Sequence, residues 1–163
     1  MSLTTVYLAL GSNLGERFEQ MRSALQLLQG KGIVIVSASP VYQNRAVGMG
    51  EADPFLNAVV EVQTSLKAEA LLDVCLATEN QLGRMRARVR APRTIDIDVL
   101  MFGETSIETE RLHLPHPSIA ERDFVLRPLV DIAPDLELQG QPVKLLLDQL
   151  PFVELELVAG SLF

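Results

Sequence analysis

Hydrophobic and polar residues follow two different periods along the chain, one typical of strands and one typical of helices. Short runs rich in β-branched and aliphatic residues predict four strands, over 4–10, 33–39, 55–64 and 94–102. Apolar side chains spaced three and four apart predict helices over 15–29 and 66–82. The residues of the second helix that we expect to face the core are Leu71, Leu72, Cys75 and Leu82. The order βαββαβ indicates an α+β fold of ferredoxin-like type, with an antiparallel sheet and two helices packed on one face.

The remaining segments are interpreted from their glycine, proline and capping residues. Residues 40–54 are rich in Gly and Pro and predict a loop. Ser118 and Glu121 have the spacing of a capping box, and a short helix is predicted near 143–150. Since no repeat or linker interrupts the pattern, we expect a single domain over 1–163 with a C-terminal helical and β extension.

Composition excludes several classes of protein. A length of 163 residues with 48% hydrophobic and 21% charged residues is typical of one globular domain. The net charge of −7 disfavours nucleic acid as a partner, because a polyanion is repelled on average. The one cysteine, Cys75, falls on an apolar helix face, and we interpret it as a core residue of a protein in a reducing compartment. No segment approaches ~20 consecutive apolar residues, so we expect a cytoplasmic protein without a membrane partner.

The strand predicted over 94–102 carries two aspartates on one face, and its other face carries Ile95, Ile97, Val99 and Met101. Asp96 and Asp98 are separated by one apolar residue, so these two same-face residues lie roughly 6.5–7 Å apart along the strand, and their carboxylates can converge on a cation. Asp is depleted in strands, and a buried carboxylate is costly unless it is paired or binds a metal. Oxygen ligands of this kind suit Mg²⁺, which is commonly shared with substrate phosphates. A solvated edge strand with two ordinary aspartates is the alternative.

Arginines are concentrated just before this strand. A guanidinium group binds phosphate with two parallel hydrogen bonds, and an arginine-rich loop could close over a phosphorylated substrate. A solvated charged loop is the alternative, but the adjacent aspartates favour a site for phosphate and Mg²⁺. The residues concerned are Arg84, Arg86, Arg88, Arg90 and Arg93.

Four further residues are candidates for binding a flat, polar substrate. His116 lies between two prolines that restrict its backbone, and its ring could donate a hydrogen bond to phosphate or ribose. Asn57 lies in a predicted strand, where its amide could bind the edge of a heterocycle. Phe55 and Phe124 are candidates for stacking, although most phenylalanines belong to cores.

Six motifs together resemble those of one enzyme family, in the same order and over nearly the full length. The chain resembles the 6-hydroxymethyl-7,8-dihydropterin pyrophosphokinases of folate biosynthesis. The most specific motif, PRTIDID, joins a phosphate-binding arginine to both metal ligands. The matching segments are ALGSNLG at 9–15, FLNAVV at 55–60, LGRMR at 82–86, APRTIDIDVLMFG at 91–103, LPHP at 114–117 and RDFVLRPL at 122–129.

The resemblance implies transfer of the β,γ-pyrophosphate of ATP to the pterin hydroxymethyl group, with release of AMP. It also implies that Asp96 and Asp98 are catalytic and bind two Mg²⁺ together with ATP. We expect the protein to be a monomer. The residues that it places at the pterin are Asn44, Val47, Phe55, Asn57, Asp96 and Phe124. Those that it places at ATP are Glu79, Arg84, Arg86, Arg93, Val99, Arg111, Leu112, His116 and Arg122, with Arg84 and Arg93 also catalytic.

The sequence departs from the family pattern in the loop before PRTIDID and in the pterin loop. The family commonly has an Arg-Trp pair where this chain has Val89 and Arg90, and the chain contains no Trp. Asn44 and Arg45 replace a Thr-Pro pair. A catalytically silent binder of pterin or nucleotide is therefore one alternative. An RNA-binding module is another, because the same element order occurs there, but it requires exposed sheet aromatics and a basic surface.

Overall fold

A computed structural model describes residues 2–12, 17–44, 55–84, 95–151 and 155–160. The strands of its central sheet are β1 (Thr4–Ser12), β2 (Ile33–Ala38), β3 (Val41–Asn44), β4 (Leu56–Thr64), β5 (Asp96–Phe102) and β10 (Leu155–Ala159). The helices are α1 (Arg17–Gln29), α2 (Ala68–Arg84), α3 (Asp123–Ile132) and α4 (Val143–Asp148). Two small hairpins are formed by β6 (Ile107–Glu108) with β7 (His113–Leu114) and by β8 (Glu137–Leu138) with β9 (Gln141–Pro142). None of the helices in these ranges is both long and apolar enough to cross a membrane.

The central sheet is antiparallel throughout. Its order is β10–β3–β4–β1–β5, and β2 also pairs with β4. The predicted strands are all present, but the prediction of a loop over 40–54 was wrong at its start. Val41–Asn44 form β3, which follows Pro40 and continues along the edge of β4 where β2 ends. A four-residue strand behind a proline carries too little periodicity to be recognised. Residues 45–54 lie outside the described residues.

Helices pack on both faces of the sheet: α1 and α2, which the sequence pattern predicted on one face, share that face, while α3 and α4 lie on the other. One face of β1 contributes Leu8 and Leu10 to the core beneath α1 and α2. On the other face, Val59 of β4 joins a second core formed largely by α3 and α4, with Leu126 and Leu129 at its centre. Cys75 is fully buried in the first core, as predicted.

A β-bulge in β5 separates the part of the strand that carries the aspartates from the part that supports α3. Tyr7 pairs with Met101 and Leu8 pairs with Val99, so Leu100 is the extra residue. The bulge turns Met101 into the second core, although simple alternation predicted it on the same face as Val99. The strand therefore supplies both cores from a few consecutive residues.

The helix α3 was not predicted, and the capping box at Ser118 and Glu121 was wrong. Ser118 makes no side-chain capping hydrogen bond and precedes a single 3₁₀ turn over Ile119–Glu121. The helix begins only at Asp123, has ten residues and contains Pro128. Because an internal proline removes a backbone donor, a short segment of this kind gives a weak helical signal.

We predict that the second core is essential for stability. Leu126 is fully buried in α3, and truncation to Ala leaves a cavity, so Leu126→Ala should lower the free energy of unfolding by about 2–5 kcal/mol. Leu145→Ala in α4 is the matched control, because Leu145 is 45% exposed and its loss should cost at most about 0.5 kcal/mol. Urea denaturation of both variants measures the difference. Equal losses would contradict the packing described for α3.

Candidate active site

The candidate site begins with the carboxylates at the start of β5. In the register of the sheet, Asp96 lies opposite Gly11 and Asp98 lies opposite Ala9, so both side chains are on the face covered by α3. Asp96 is half-buried and Asp98 is exposed. The intervening Ile97 points into the first core, which anchors the strand from below. The two aspartates are thus presented from one face of a buried strand.

Two cavities adjoin at this pair. The first, named here the Asn57 cavity, has a volume of about 350 Å³. Its lining includes both aspartates and three aromatic or amide side chains predicted from the sequence. The residues that line it are Ala9, Leu10, Gly11, Phe55, Asn57, Asp96, Asp98, Arg122, Phe124 and Val125.

The second cavity, named the His116 cavity, lies on the other side of Asp98 and has a volume of about 260 Å³. Asp98 lines both cavities, whereas Asp96 lines only the first. The lining combines apolar side chains with polar and charged ones. It is formed by Leu72, Leu76, Glu79, Ile97, Asp98, Val99, Arg111, Leu112, His113, His116 and Pro117.

The floor of the Asn57 cavity is built from paired backbone segments of β1 and β4. Asn57 is 5% exposed and lies opposite Gly11, and its Nδ2 donates to the Phe55 carbonyl at 3.4 Å. A Cβ at Gly11 would lie 3.5 Å from Asn57 Oδ1 and 3.6 Å from the Phe55 ring. The glycine therefore leaves space beside the amide and the ring that any other residue would occupy.

The opposite wall comes from the start of α3. The guanidinium of Arg122 lies over the ring of Phe124 at 5.7 Å, which places a positive charge and an aromatic face beside the two aspartates. Near the C-terminal end of the same helix, Asp131 accepts hydrogen bonds from Tyr42 of β3 and from Arg127. Since Tyr42 pairs with Asn57 across the strands, this network fixes α3 relative to the cavity floor.

The orientation of His116 is determined by backbone groups. Its own N–H donates to the Leu100 carbonyl at 2.8 Å, and its Nδ1 accepts from the Ser118 N–H at 3.2 Å. An Nδ1 that accepts a hydrogen bond carries no proton, so the neutral ring carries it on Nε2. Burial lowers the pKa of His116, the charge of Asp98 opposes this shift, and the charge of Arg122 adds to it. The ring is therefore a neutral hydrogen-bond donor.

Two other residues that line the His116 cavity already have partners within the protein. Arg111 forms ion pairs with Glu69 at 2.9 Å and with Asp73 at 2.5 Å, both on α2. Glu79 is 4% exposed, and its Oε2 accepts the backbone N–H of Ile97 at 2.6 Å. The exposed pairs of Arg111 are individually weak and can exchange for a ligand, whereas the bond of Glu79 is buried.

The structure brings together most but not all of the predicted residues. Val99 and Leu112, both predicted at ATP, line the His116 cavity. Val47, Arg86 and Arg93 lie outside the described residues, together with Arg88, Arg90 and the substituted positions Arg45 and Val89. Arg84 and Asn44 end α2 and β3, and their side chains also lie outside the description.

Several lining residues were not predicted. Gly11 could have been found, because it lies in the ALGSNLG motif and a glycine within a strand often marks a close approach. Leu72 was assigned to the core and Leu76 was not singled out, although both line the His116 cavity. Helical spacing does not distinguish an apolar residue in a core from one that lines a cavity.

The two adjoining cavities share Asp98, and each combines apolar surface with a few polar groups, which is typical of small-molecule sites. The model of the 7,8-dihydro-6-hydroxymethylpterin-pyrophosphokinase family matches residues 7–134. The chain therefore belongs to this family.

Individual relatives agree with this assignment. The chain is 44% identical over 143 residues to the 2-amino-4-hydroxy-6-hydroxymethyldihydropteridine pyrophosphokinase of Methylorubrum extorquens, covering 87% of this chain and 90% of the relative. It is 40% identical over 158 residues to the protein of the same name from Pseudomonas aeruginosa, covering 96% of this chain and 98% of the relative. A solved HPPK-DHPS structure from Plasmodium falciparum shares the fold, with a TM-score of 0.73 and 14% identity over 91% of this chain and 43% of that one.

We predict that His116 is neutral near pH 7 with its proton on Nε2. Because its pKa lies below the ordinary value of 6.5, the folded state takes up this proton later than the unfolded chain as pH falls. The contribution of His116 to stability therefore decreases from about pH 6.5 downward. Long-range ¹H–¹⁵N NMR spectra identify the protonated nitrogen and follow its titration, and His113→Gln assigns the other histidine. A proton on Nδ1, or a pKa above 6.5, would contradict the geometry.

Proposed function

We propose that the protein transfers the β,γ-pyrophosphate of ATP to the hydroxymethyl group of 6-hydroxymethyl-7,8-dihydropterin and releases AMP, in folate biosynthesis. The observation that carries this proposal is the position of Asp98 between two cavities of different character. One cavity suits a flat heterocycle and the other suits a nucleotide. Membership of a pyrophosphokinase family supports the same reaction.

The pterin is proposed to bind in the Asn57 cavity. A cavity of about 350 Å³ is of the size that small-molecule sites have, and its polar groups are few and convergent. The Asn57 amide offers both donors and an acceptor to the edge of the ring, while Phe55 and Phe124 offer aromatic faces. Asn44 and Val47 are proposed as further pterin residues on the resemblance alone.

ATP is proposed to bind in the His116 cavity. Leu112 and Val99 supply apolar surface for the base, and the Nε2–H of His116 can donate to a phosphate oxygen. Arg122 faces Asp96 and Asp98 from α3 and is placed to contact the phosphates. Arg111 is proposed to exchange its surface ion pairs for nucleotide contacts. Glu79 lines the same cavity, and Arg84, Arg86 and Arg93 are proposed phosphate ligands on the resemblance alone.

Asp96 and Asp98 are proposed to hold two Mg²⁺ together with ATP. Among the described residues, no group of three or more His, Cys, Asp and Glu could hold a metal ion, so these carboxylates cannot complete a coordination shell by themselves. Mg²⁺ fits this donor set, because it prefers hard oxygen ligands and normally takes the remainder from water and phosphate. Such ions neutralise phosphate charge as the pyrophosphoryl group moves.

In the proposed reaction, the hydroxymethyl oxygen forms a bond to the β-phosphorus and its hydroxyl proton is released to solvent water. The bond between that phosphorus and the oxygen bridging to the α-phosphate breaks, and AMP departs with the electron pair. The chain's own contribution is mainly positioning, since phosphoryl transfer requires alignment and charge compensation more than covalent participation. Asn57 and the phenylalanines fix the acceptor, while His116 and Arg122 hold the phosphates.

We also propose that the central sheet represents the ferredoxin-like topology. The strand order β5–β1–β4–β2, together with α1 and α2 on one face, supports this assignment. The chain over 1–163 is proposed to act as one pyrophosphokinase domain and as a monomer, with α3, α4 and β10 forming the C-terminal extension.

We predict pterin-dependent formation of AMP, and no ADP, when the protein is incubated with ATP, Mg²⁺ and 6-hydroxymethyl-7,8-dihydropterin. Asp98→Asn should lower kcat by about 10²-fold or more, because it removes a charge where phosphate charge must be compensated. Asp135→Asn, an exposed aspartate outside both cavities, should leave kcat unchanged. Chromatography separates AMP from ADP. Formation of ADP would refute the reaction, and binding of pterin without any turnover would favour the silent binder.

We predict that the two substrates depend on different cavities. Asn57→Asp replaces two donors by an acceptor of equal size, so the Kd for pterin should rise by about 10-fold or more while nucleotide affinity changes little. His116→Ala should weaken ATP binding and leave the pterin Kd unchanged. Calorimetric titrations of both variants with each ligand measure this, after thermal melting confirms folding. Equal losses of both affinities in either variant would contradict the assignment of the cavities.

A further inference from the structure

We propose that Glu79 is a positioning residue, which fixes the backbone of β5 between Asp96 and Asp98 and thereby sets the direction of both carboxylates. This inference rests on the proposed function, in which these two carboxylates hold the metal ions. Its basis is a contact between a side chain of α2 and the peptide group of Ile97, the residue between the aspartates. The resemblance assigns Glu79 only to the nucleotide cavity.

The contact is short and buried. Glu79 is 4% exposed, and its Oε2 accepts the Ile97 N–H at 2.6 Å. A hydrogen bond with a charged acceptor is shorter and stronger than one between neutral groups. A hydrogen bond of this length holds the Ile97 peptide group in a fixed position relative to α2.

The position of β5 in the sheet explains why such a constraint is needed. In the described central sheet, β5 pairs with β1 and ends the strand order. Alternate peptide groups of such a strand point away from its only neighbour and need another partner. Glu79 supplies this partner to Ile97, whose side chain is held in the first core. The peptide between the aspartates is thus fixed on two sides.

The choice of a carboxylate also suggests an electrostatic contribution. A neutral acceptor such as Gln would satisfy the same N–H, and burying a carboxylate is the more costly solution. The thiol of Cys75, one turn earlier on α2, has a pKa of about 12, raised first by burial and then by the charges of Glu79 and Asp98. Both charges therefore act on one region, and Glu79 adds negative potential behind the aspartate pair.

Misplacement of this peptide would move both proposed metal ligands together. A displacement of about 1 Å at reacting groups can cost about 10²-fold in rate. Groups that orient metal ligands typically change metal affinity or activity by about 10–100-fold when they are removed. The effect should appear in metal binding and kcat more than in the KM for pterin, since the Asn57 cavity does not include Glu79.

Glu79→Ala, Glu79→Gln and the matched control Gln81→Ala, an exposed position on the same helix, test the proposal. Hydrogen exchange of the Ile97 amide, measured by NMR without ligands, should accelerate by about 10-fold or more in Glu79→Ala and little in the other two. Mn²⁺ binding with a nonhydrolysable ATP analogue, followed by EPR, should weaken by about 10–100-fold in Glu79→Ala. Glu79→Gln should restore most of the Ile97 protection but only part of the metal affinity.

Unchanged Ile97 exchange in Glu79→Ala would overturn the proposal, as would unchanged Mn²⁺ affinity. If Glu79→Ala does not fold, Glu79→Gln decides the outcome. A metal affinity of Glu79→Gln equal to that of Gln81→Ala would overturn the electrostatic role. Loss of Ile97 amide protection in Glu79→Gln would overturn the view that any hydrogen-bond acceptor at this position suffices. None of these readouts needs turnover. Failure of the parent protein to form AMP would therefore reject the proposed function without affecting the exchange result.

Discussion

The repulsion between two carboxylates on one face of a strand is the constraint on which the site depends. The negative charges of Asp96 and Asp98 repel each other unless nearby positive charge compensates them. The described structure places such a charge, and open space for another, beside the pair. Arg122 faces them from α3, while the exposed side of Asp98 opens to both cavities. A phosphate-bound cation would complete the compensation, which links the stability of this arrangement to the binding of a phosphorylated substrate.

The rest of the fold holds this charged face in place from behind. Ile97, which lies between the aspartates in the sequence, and Val99, which follows them, both pack in the first core. The bulge at Leu100 then redirects the strand, so that Leu100 and Met101 support α3 on the opposite face. Because Arg122 and Phe124 at the start of α3 lie beside the aspartates, the same strand positions both the two carboxylates and the wall that faces them.

Much of this could be predicted from local sequence, and the rest depended on contacts between distant segments. Alternation in β5 identified the aspartate pair, helical spacing placed Cys75 in the core, and an unusual strand amide identified Asn57. The strand β3 was missed because four residues after Pro40 carry little periodicity, and α3 was missed because Pro128 interrupts a short helix. Met101 was assigned to the wrong face, since a bulge arises from pairing with β1 and leaves no local signal. The two cavities depend on such distant contacts, because Phe124 and Val125 of α3 line one and His113 of β7 lines the other.

The central claim is that the two substrates occupy separate cavities and meet at Asp98. A crystal structure with Mg²⁺, the pterin and an ATP analogue carrying a methylene between the α- and β-phosphorus atoms tests it most directly. We predict the pterin beside Asn57, the nucleotide beside Leu112 and His116, and metal bound by Asp96 and Asp98 between them. Both ligands in one cavity, or metal bound away from these aspartates, would contradict it.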